Sequence, residues 1–406
     1  MMFVLGVVLF ALGITASVAL HEAGHMWTAQ KLGMKVRRYY IGFGPRIFSF
    51  RRGETEYGLK ALPAGGFCDI AGMTALDELA PDEYDRAMYN QKTWKRLVVM
   101  SGGIAMNFLI GIVLVYALAV TSGLPNTDTR AVVGTVGCAA PTQAGAEGGY
   151  APAECEGTGP AQAAGIQPGD VIVAVGDTRV ETFGQLVQAT QPLSGTVDFT
   201  VERGDETLTF PVAIQQVQRW VYESDDPDAQ PVSREVGAIG VGGEPRVLEY
   251  TPVTAVPATF EFTGYLAART AEALVQLPSK VSDLWTAVTG GERAVDTPVS
   301  VVGASVIGGQ FAEAGIWQSF VLLLAQLNFF LGAFNLLPLL PLDGGHMAVA
   351  IYERLRNWVR NLRGLADGPP VDYMKLLPLT YVAVVVGGAY MLLTLTADIV
   401  NPIKLL

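Results

Sequence analysis

Residues 2–25 read Met2-Phe-Val-Leu-Gly-Val-Val-Leu-Phe-Ala-Leu-Gly-Ile-Thr-Ala-Ser-Val-Ala-Leu20 and then His21-Glu-Ala-Gly-His25. The first 19 of these contain no Asp, Glu, Lys or Arg, and about 20 apolar residues in a helix cross a bilayer. The pentapeptide that follows continues the same helix. Positions i and i+4 share a helical face, so both imidazoles reach one ion while the carboxylate between them reaches a water molecule. Three ionisable groups at membrane depth are costly unless they serve function or find partners. With 3 His and 20 Glu in 406 residues, chance produces this pattern roughly one time in a thousand. The stretch is therefore a membrane helix that ends in half of a metal site.

Three further runs lack charged residues: 97–127, 315–342 and 376–397, over 31, 28 and 22 residues. The chain is 50% hydrophobic and only 16% charged, against about 25% charged in ordinary soluble domains. A soluble enzyme, a disordered chain and a fibrous protein are excluded. Four transmembrane helices are expected, at about residues 2–30, 97–120, 315–337 and 377–398. The net charge of -11 argues against a nucleic-acid partner.

Charge asymmetry gives the orientation. Residues 31–96 hold 12 Lys/Arg and 8 Asp/Glu, residues 120–318 hold 9 and 24, and residues 344–377 hold 5 and 3. Lys31, Lys35, Arg37, Arg38 and Arg46 follow the first span with no acid among them, and basic residues close to a span stay cytosolic. The N-terminus, the long middle segment and the C-terminus are then extracytoplasmic in the cell membrane. A cleaved signal peptide is the rival for residues 1–20, since Ser17-Val-Ala19 has the spacing of a cleavage site, but no basic stretch precedes the apolar run. Cys138 and Cys155 fall in the segment placed outside, where a disulfide between them is possible; Cys68 falls in the cytosolic loop.

Between the first two spans, Ile47-Phe-Ser-Phe50 and Glu56-Tyr-Gly-Leu-Lys-Ala61 flank Arg51-Arg-Gly53 and read as a β-hairpin. Gly42-Phe-Gly-Pro45 precedes it, and Leu62-Pro-Ala-Gly-Gly-Phe67 reads as a break after it. The hairpin is either an edge for an extended peptide or a cytosolic cap. From residue 132 the pattern changes to short strands and polar turns, a mostly β domain over 128–215. Its run from Gly159-Pro-Ala to Val175-Gly-Asp177 resembles the core of a bacterial PDZ domain, which implies either peptide-end recognition or a steric gate. Residues 216–256 are acidic and loop-like, with Asp225-Asp-Pro-Asp228 as a solvated turn; 259–288 has helical spacing interrupted at Pro278, and 297–309 is apolar but too short to span. The domain plan is a first membrane half (1–127), the PDZ-like domain (128–215), an extracytoplasmic linker with an interfacial segment (216–314) and a second membrane half (315–406).

A catalytic zinc wants three protein ligands and an open position. The third candidate is Asp343, the only acid between residues 315 and 352, after Asn335-Leu-Leu-Pro-Leu-Leu-Pro-Leu and before Gly344-Gly-His346. Pro338 and Pro341 break the third span, and irregular backbone at membrane depth is tolerated where it lines a cavity. His346 is the rival ligand, and Asp343 is alternatively a helix N-cap.

The pair His21-Glu-Ala-Gly-His25 and Asn335-x-x-Pro338-x-x-Pro-Leu-Asp343-Gly, on the first and third of four spans with a PDZ-like domain between, resembles the site-2 protease family of intramembrane zinc metalloproteases. It is most similar to the actinobacterial RseP-like members. The resemblance implies a polytopic α-helical fold with a membrane-associated β-hairpin and the inserted β domain. It implies His21, His25 and Asp343 as ligands of Zn²⁺, Glu22 as general base, and Asn335 beside the substrate backbone. It implies cleavage inside single-span membrane proteins such as anti-sigma factors, in stress signalling, after a first cut by a site-1 protease, with the active site toward the cytosol. The chain departs from relatives in having Gly103-Ile104 where a Gly-Pro pair often precedes the second-span Asn, so Asn107 is read as a helix-packing group. A non-catalytic PDZ scaffold or a metal transporter is the alternative function.

Overall fold

A computed structural model describes residues 1–143, 153, 155–221, 232–294 and 296–404. In chain order the elements are α1 (Met2–Lys31), β1 (Val36–Arg52), β2 (Thr55–Ile70), α2 (Thr93–Thr121), β3 (Leu124–Pro125), β4 (Val133–Val136), α3 (Pro160–Ala164), β5 (Val171–Val175), β6 (Thr178–Arg179) and α4 (Phe183–Thr190). Then come β7 (Gly195–Arg203), β8 (Glu206–Val221), β9 (Val232–Ala238), β10 (Val241–Gly243), β11 (Val247–Leu248), α5 (Ala255–Gln276), α6 (Val281–Val288), α7 (Val301–Glu313), α8 (Trp317–Asn335), α9 (Asp343–Leu362) and α10 (Leu377–Val400). The chain divides into one unit of residues 1–123 and 249–406 and another of 124–248.

In the first unit, α1, α2, α8 and α10 are each long and apolar enough to cross a membrane. Without a hydrophobic drive between helices in lipid, close approach depends on small residues. Gly24 of α1 lies directly on Gly102 of α2, so a Cβ at 102 would stand 2.6 Å from the Gly24 carbonyl. Glycines also admit rings from the facing helix: Gly111 receives Phe329, and Gly308 of α7 receives Phe10. At 13 residues α7 is too short to span, and it rests on α1, where a Cβ at Gly6 would stand 2.9 Å from the Gly309 Cα. Arg293 and Asp398, both buried, pair at 2.7 Å, and the same carboxylate accepts from the Ser300 backbone N–H, tying the end of α10 to the start of α7.

The hairpin is much longer than the sequence suggested. β1 and β2 pair antiparallel from Arg52↔Thr55 back to Val36↔Ile70, through a series of register shifts. Residues 38–41 pair on one side with 56–59 and on the other with 66–69, so the two long strands fold back into one curled sheet, bent where Gly42, Gly44 and Gly65 take positive φ. Its base joins α1 and α2 in one core with Met26, Met34, Val36, Ile70, Val99 and Met100. The segment that follows β2 is clamped by charge. Arg37 donates to both Glu83 oxygens and to Asp77, and Lys35 pairs with Asp82 and Glu83. Hydrogen bonds from Arg37 hold the Glu83 carboxyl at about 2, against the opposing pull of burial. A carboxylate depressed below its ordinary value of about 4.3 stabilises the fold at neutral pH, and that contribution fades as pH falls from about 4.3 to 2. The wild-type melting temperature is expected to drop more steeply over this window than that of Glu83→Gln. Parallel acid limbs in thermal scans of the two proteins would refute the clamp.

The second unit holds a five-stranded sheet in the order β6-β5-β7-β8-β9, with neighbours antiparallel. Phe199, Ile172, Val212 and Leu186 form its core. Asp170, buried beneath it, accepts a two-pronged pair from Arg203 at 2.6 and 2.7 Å. Cys138 and Cys155 are joined by a disulfide. Residues 216–256 are not all loop: β8 runs on to Val221, and β9 pairs with it from Gln215↔Ala238 to Val221↔Val232. Only one face of this ribbon is buried, by Val217 and Val236, and outward Gln216 and Gln218 make the other face polar. The turn Asp225–Asp228 lies outside the described residues. Residues 259–288 form α5 and α6, parted around Pro278 as their spacing predicts.

Candidate metal centre

The centre is assembled where α1 crosses α2. His21 and His25 stand one turn apart on the buried face of α1, their rings edge to face and their Nε2 atoms 3.2 Å apart. The second helix holds the far side of each ring. His25 Nδ1 lies 2.8 Å from the Val99 carbonyl, which fixes the proton on Nδ1 and leaves Nε2 with a free lone pair. His21 Nδ1 lies 3.1 Å from the amide of Asn107, whose Oδ1 is buried without a partner. A half-turn of that amide presents Oδ1 to an Nδ1–H, satisfies the oxygen and gives His21 the same tautomer as His25.

Asp343 comes from the far end of the sequence. The chain leaves α8 at Asn335, turns through Pro338 and Pro341, and starts α9 at Asp343. This return is tight: a Cβ on Gly344 would strike the carbonyls of Leu336 and Leu337, and one on Gly345 would stand 2.6 Å from the Leu339 carbonyl carbon. Asp343 is the first residue of α9 and Leu342 occupies the cap, so its carboxylate is not used for capping. Asp343 Oδ2 lies 3.2 Å from both His21 Nε2 and His25 Nε2, buried and without a hydrogen bond. His346, the rival, points elsewhere and meets the Tyr373 hydroxyl at 3.3 Å.

Three donors, two nitrogens and one oxygen, thus lie within 4.8 Å of one another. Bonds of about 2.0–2.1 Å in a tetrahedron put donors about 3.3 Å apart, so the 3.2 Å separations suit zinc. Gly103 keeps the space open, because a Cβ there would press on His25 Nε2 and stand 2.8 Å from His21 Nε2. A cavity of about 240 Å³ opens on the cluster, lined by His21, Glu22, Asn107, Asn335 and Asp343 with Val18 and Leu331. A larger one, about 580 Å³, lies in the second unit, and among the described residues Arg219 is the one charged side chain on its wall.

Glu22 faces the hairpin. The Cys68 backbone N–H is directed at its carboxylate, and Gly66 leaves it room, since a Cβ there would stand 3.2 Å from Glu22 Cγ. Tyr39 fastens the ribbon to the same turn of α1 through a 2.7 Å hydrogen bond to the Ala19 carbonyl. Burial pushes the Cys68 thiol well above its ordinary range, with the Glu22 and Asp69 charges adding to it, so it is inert at neutral pH. Sequence reading set Asn107 aside as packing; its signal was that it is the one amide in an otherwise apolar span.

Comparison with known proteins fits this geometry. The profile of Peptidase family M50 matches residues 9–366. The chain belongs to Peptidase family M50. It is 54% identical over 409 residues to the protein named zinc metalloprotease Rip1 of Mycobacterium tuberculosis, and 52% identical over 413 residues to that of Mycolicibacterium smegmatis, with all of each chain covered. It is also similar, at 32% identity, to the putative zinc metalloprotease mll0638 of Mesorhizobium japonicum, over 85% of this chain and 88% of that one. The kinship to site-2 proteases drawn from two short motifs holds along the whole chain. With four apolar helices, this M50 peptidase is a multi-pass membrane protein.

Proposed function

We propose that this M50 peptidase cuts peptide bonds inside the transmembrane segments of single-span proteins, with His21, His25 and Asp343 holding zinc and Glu22 as general base. The observation that carries the reading is the meeting of three bare donor atoms from α1 and α9. Zinc, when bound, activates water near neutral pH and polarises the scissile carbonyl. Glu22, lining the same cavity, is placed to accept a proton from the attacking water and to return it to the leaving amine. A helical substrate has its carbonyls engaged in hydrogen bonds, so it must unwind to be cut. Among the described residues neither outer edge of the β1–β2 ribbon pairs with another strand, and such an edge accepts the unwound segment by strand addition. Asn335, at the end of α8 on the cavity wall, supplies a polar group for the same backbone.

The basic cluster Lys31, Lys35, Arg37 and Arg38 at and just beyond the end of α1 supports a cytosolic hairpin and a metal centre toward the cytosol. The termini and the second unit are then extracytoplasmic in the plasma membrane. That unit, read as PDZ-like, excludes substrates not yet trimmed by an upstream site-1 protease, and anti-sigma factors are the proposed substrates. Zinc content tests the centre: wild type is expected to hold about one zinc per chain and Asp343→Ala, having lost one of three ligands, a small fraction of that. Equal zinc in both proteins by elemental analysis would end the assignment.

A further inference from the structure

Helix α9 starts at Asp343, but its far half has no role in the centre. Ile351, Leu355, Trp358 and Leu362 recur at i, i+4, i+7 and i+11 and so share one stripe. All four are exposed, from 44% at Ile351 to 69% at Leu362. The opposite side is engaged: Ala350 and Glu353 are buried, and Glu353 pairs with Arg96 of α2 while accepting from the Val371 N–H. The helix is thus locked to the bundle with its apolar stripe facing outward.

Along α9 itself the exposed charges are of one sign, and exposed Asp367 follows in the loop beyond it. Between residues 344 and 366 the only acid is Glu353, neutralised by Arg96, while the basic residues are Arg354, Arg356, Arg360 and Arg363. On the helical wheel Arg354 borders one edge of the stripe, and Arg363 caps the end of α9 beyond exposed Tyr352 and Val359 on the other side. Both arginines are exposed and have no partner among the described residues. Arg356 and Arg360 reach back to the carbonyls of Pro369 and Ala366, which bind the following loop to the helix. An arginine-rich patch on a chain of net charge -11 is a local exception to the composition. Exposed Tyr352 and Trp358 are residues of the membrane–water boundary. Beyond the loop 363–376 the chain enters the span α10, whose Val382, Val385 and Val386 are also outward.

We propose that this face of α9 is a docking surface for anionic phospholipid, with the stripe at the acyl boundary and Arg354 and Arg363 on the headgroup phosphates. It lies beyond the peptidase reading and does not depend on which groups hold zinc. A protein partner is the competing occupant, but nothing acidic or apolar in the described chain covers the stripe, while the outward faces of the spans already require lipid.

The test uses the full chain reconstituted in vesicles of phosphatidylcholine containing brominated phosphatidylglycerol or, at the same mole fraction, brominated phosphatidylcholine. Trp358 is isolated from the other tryptophans as the difference in quenching between wild type and Trp358→Phe. Stronger quenching by the anionic lipid is expected. Arg354→Gln with Arg363→Gln is expected to weaken the preference about fivefold per arginine removed, and high salt to weaken it in wild type. Both arginines are exposed, so the double variant should fold; unchanged melting checks it, and the wild-type salt titration stands without it. Equal quenching by the two lipids would overturn the headgroup assignment. No quenching by either would overturn the docking surface altogether, because the stripe would then lie out of reach of the bilayer.

Discussion

Glu22→Gln is expected to slow peptide cleavage by roughly 10²–10⁴-fold, the usual worth of a positioned general base, while zinc content stays at the wild-type level. The two readouts separate because Glu22 is outside the donor cluster: the three grouped atoms belong to His21, His25 and Asp343. The amide is nearly the same size as the acid, so the contact with Gly66 and the cavity wall survive. What is lost is the ability to accept a proton and release it again. Cleavage of a reconstituted single-span substrate, with zinc measured on the same preparation, decides it. Normal cleavage by a zinc-loaded variant would remove Glu22 from the mechanism, and loss of zinc would make it a support of the centre instead.

Gly103→Ala is the second large effect, and it needs only one methyl group. The added carbon would press on His25 Nε2 and crowd His21 Nε2 at 2.8 Å, on the side where the donors converge. Neither ring can swing clear without breaking its hold on α2, because His25 is bound to the Val99 carbonyl and His21 to Asn107. Nor can α2 back away cheaply, since Gly24 and Gly102 meet backbone to backbone one residue earlier, and overpacking of this kind costs about 1–3 kcal/mol. Zinc affinity is expected to fall by well over the roughly 10–100-fold seen when a ligand's outer partner is lost, with activity falling in step. Retention of full zinc after dialysis against a chelator would show that the space beside Gly103 is not where the ion sits.

The parts of this molecule that were legible in its sequence are those written in long, uniform periods or in rare residues. Four uncharged runs gave the spans, and three histidines in the whole chain made His21-Glu-Ala-Gly-His25 stand out. The acid after Pro338 and Pro341 was conspicuous because its surroundings are uncharged. What escaped reading depended on contacts between distant segments. Asn107 looks like any polar group inside a span until the crossing at Gly24 and Gly102 sets it beside His21. The fold-back of the hairpin into a curled sheet, with residues 38–41 paired on both sides, was hidden because Gly42, Gly44 and Gly65 are breakers in isolation and bends between paired segments. The tail of β8 and all of β9 were hidden by a solvated outer face, where only Val217 and Val236 mark the buried side.

The hold that α2 keeps on both rings has a bearing on metal supply. The Nδ1 partners, Val99 and Asn107, belong to the polypeptide and not to an ion, so if His21 and His25 are the ligands, as proposed, a stripped enzyme is expected to keep both imidazoles aimed. Starvation for zinc should therefore idle the enzyme without damaging it, and returning the metal should revive an existing population with no fresh synthesis.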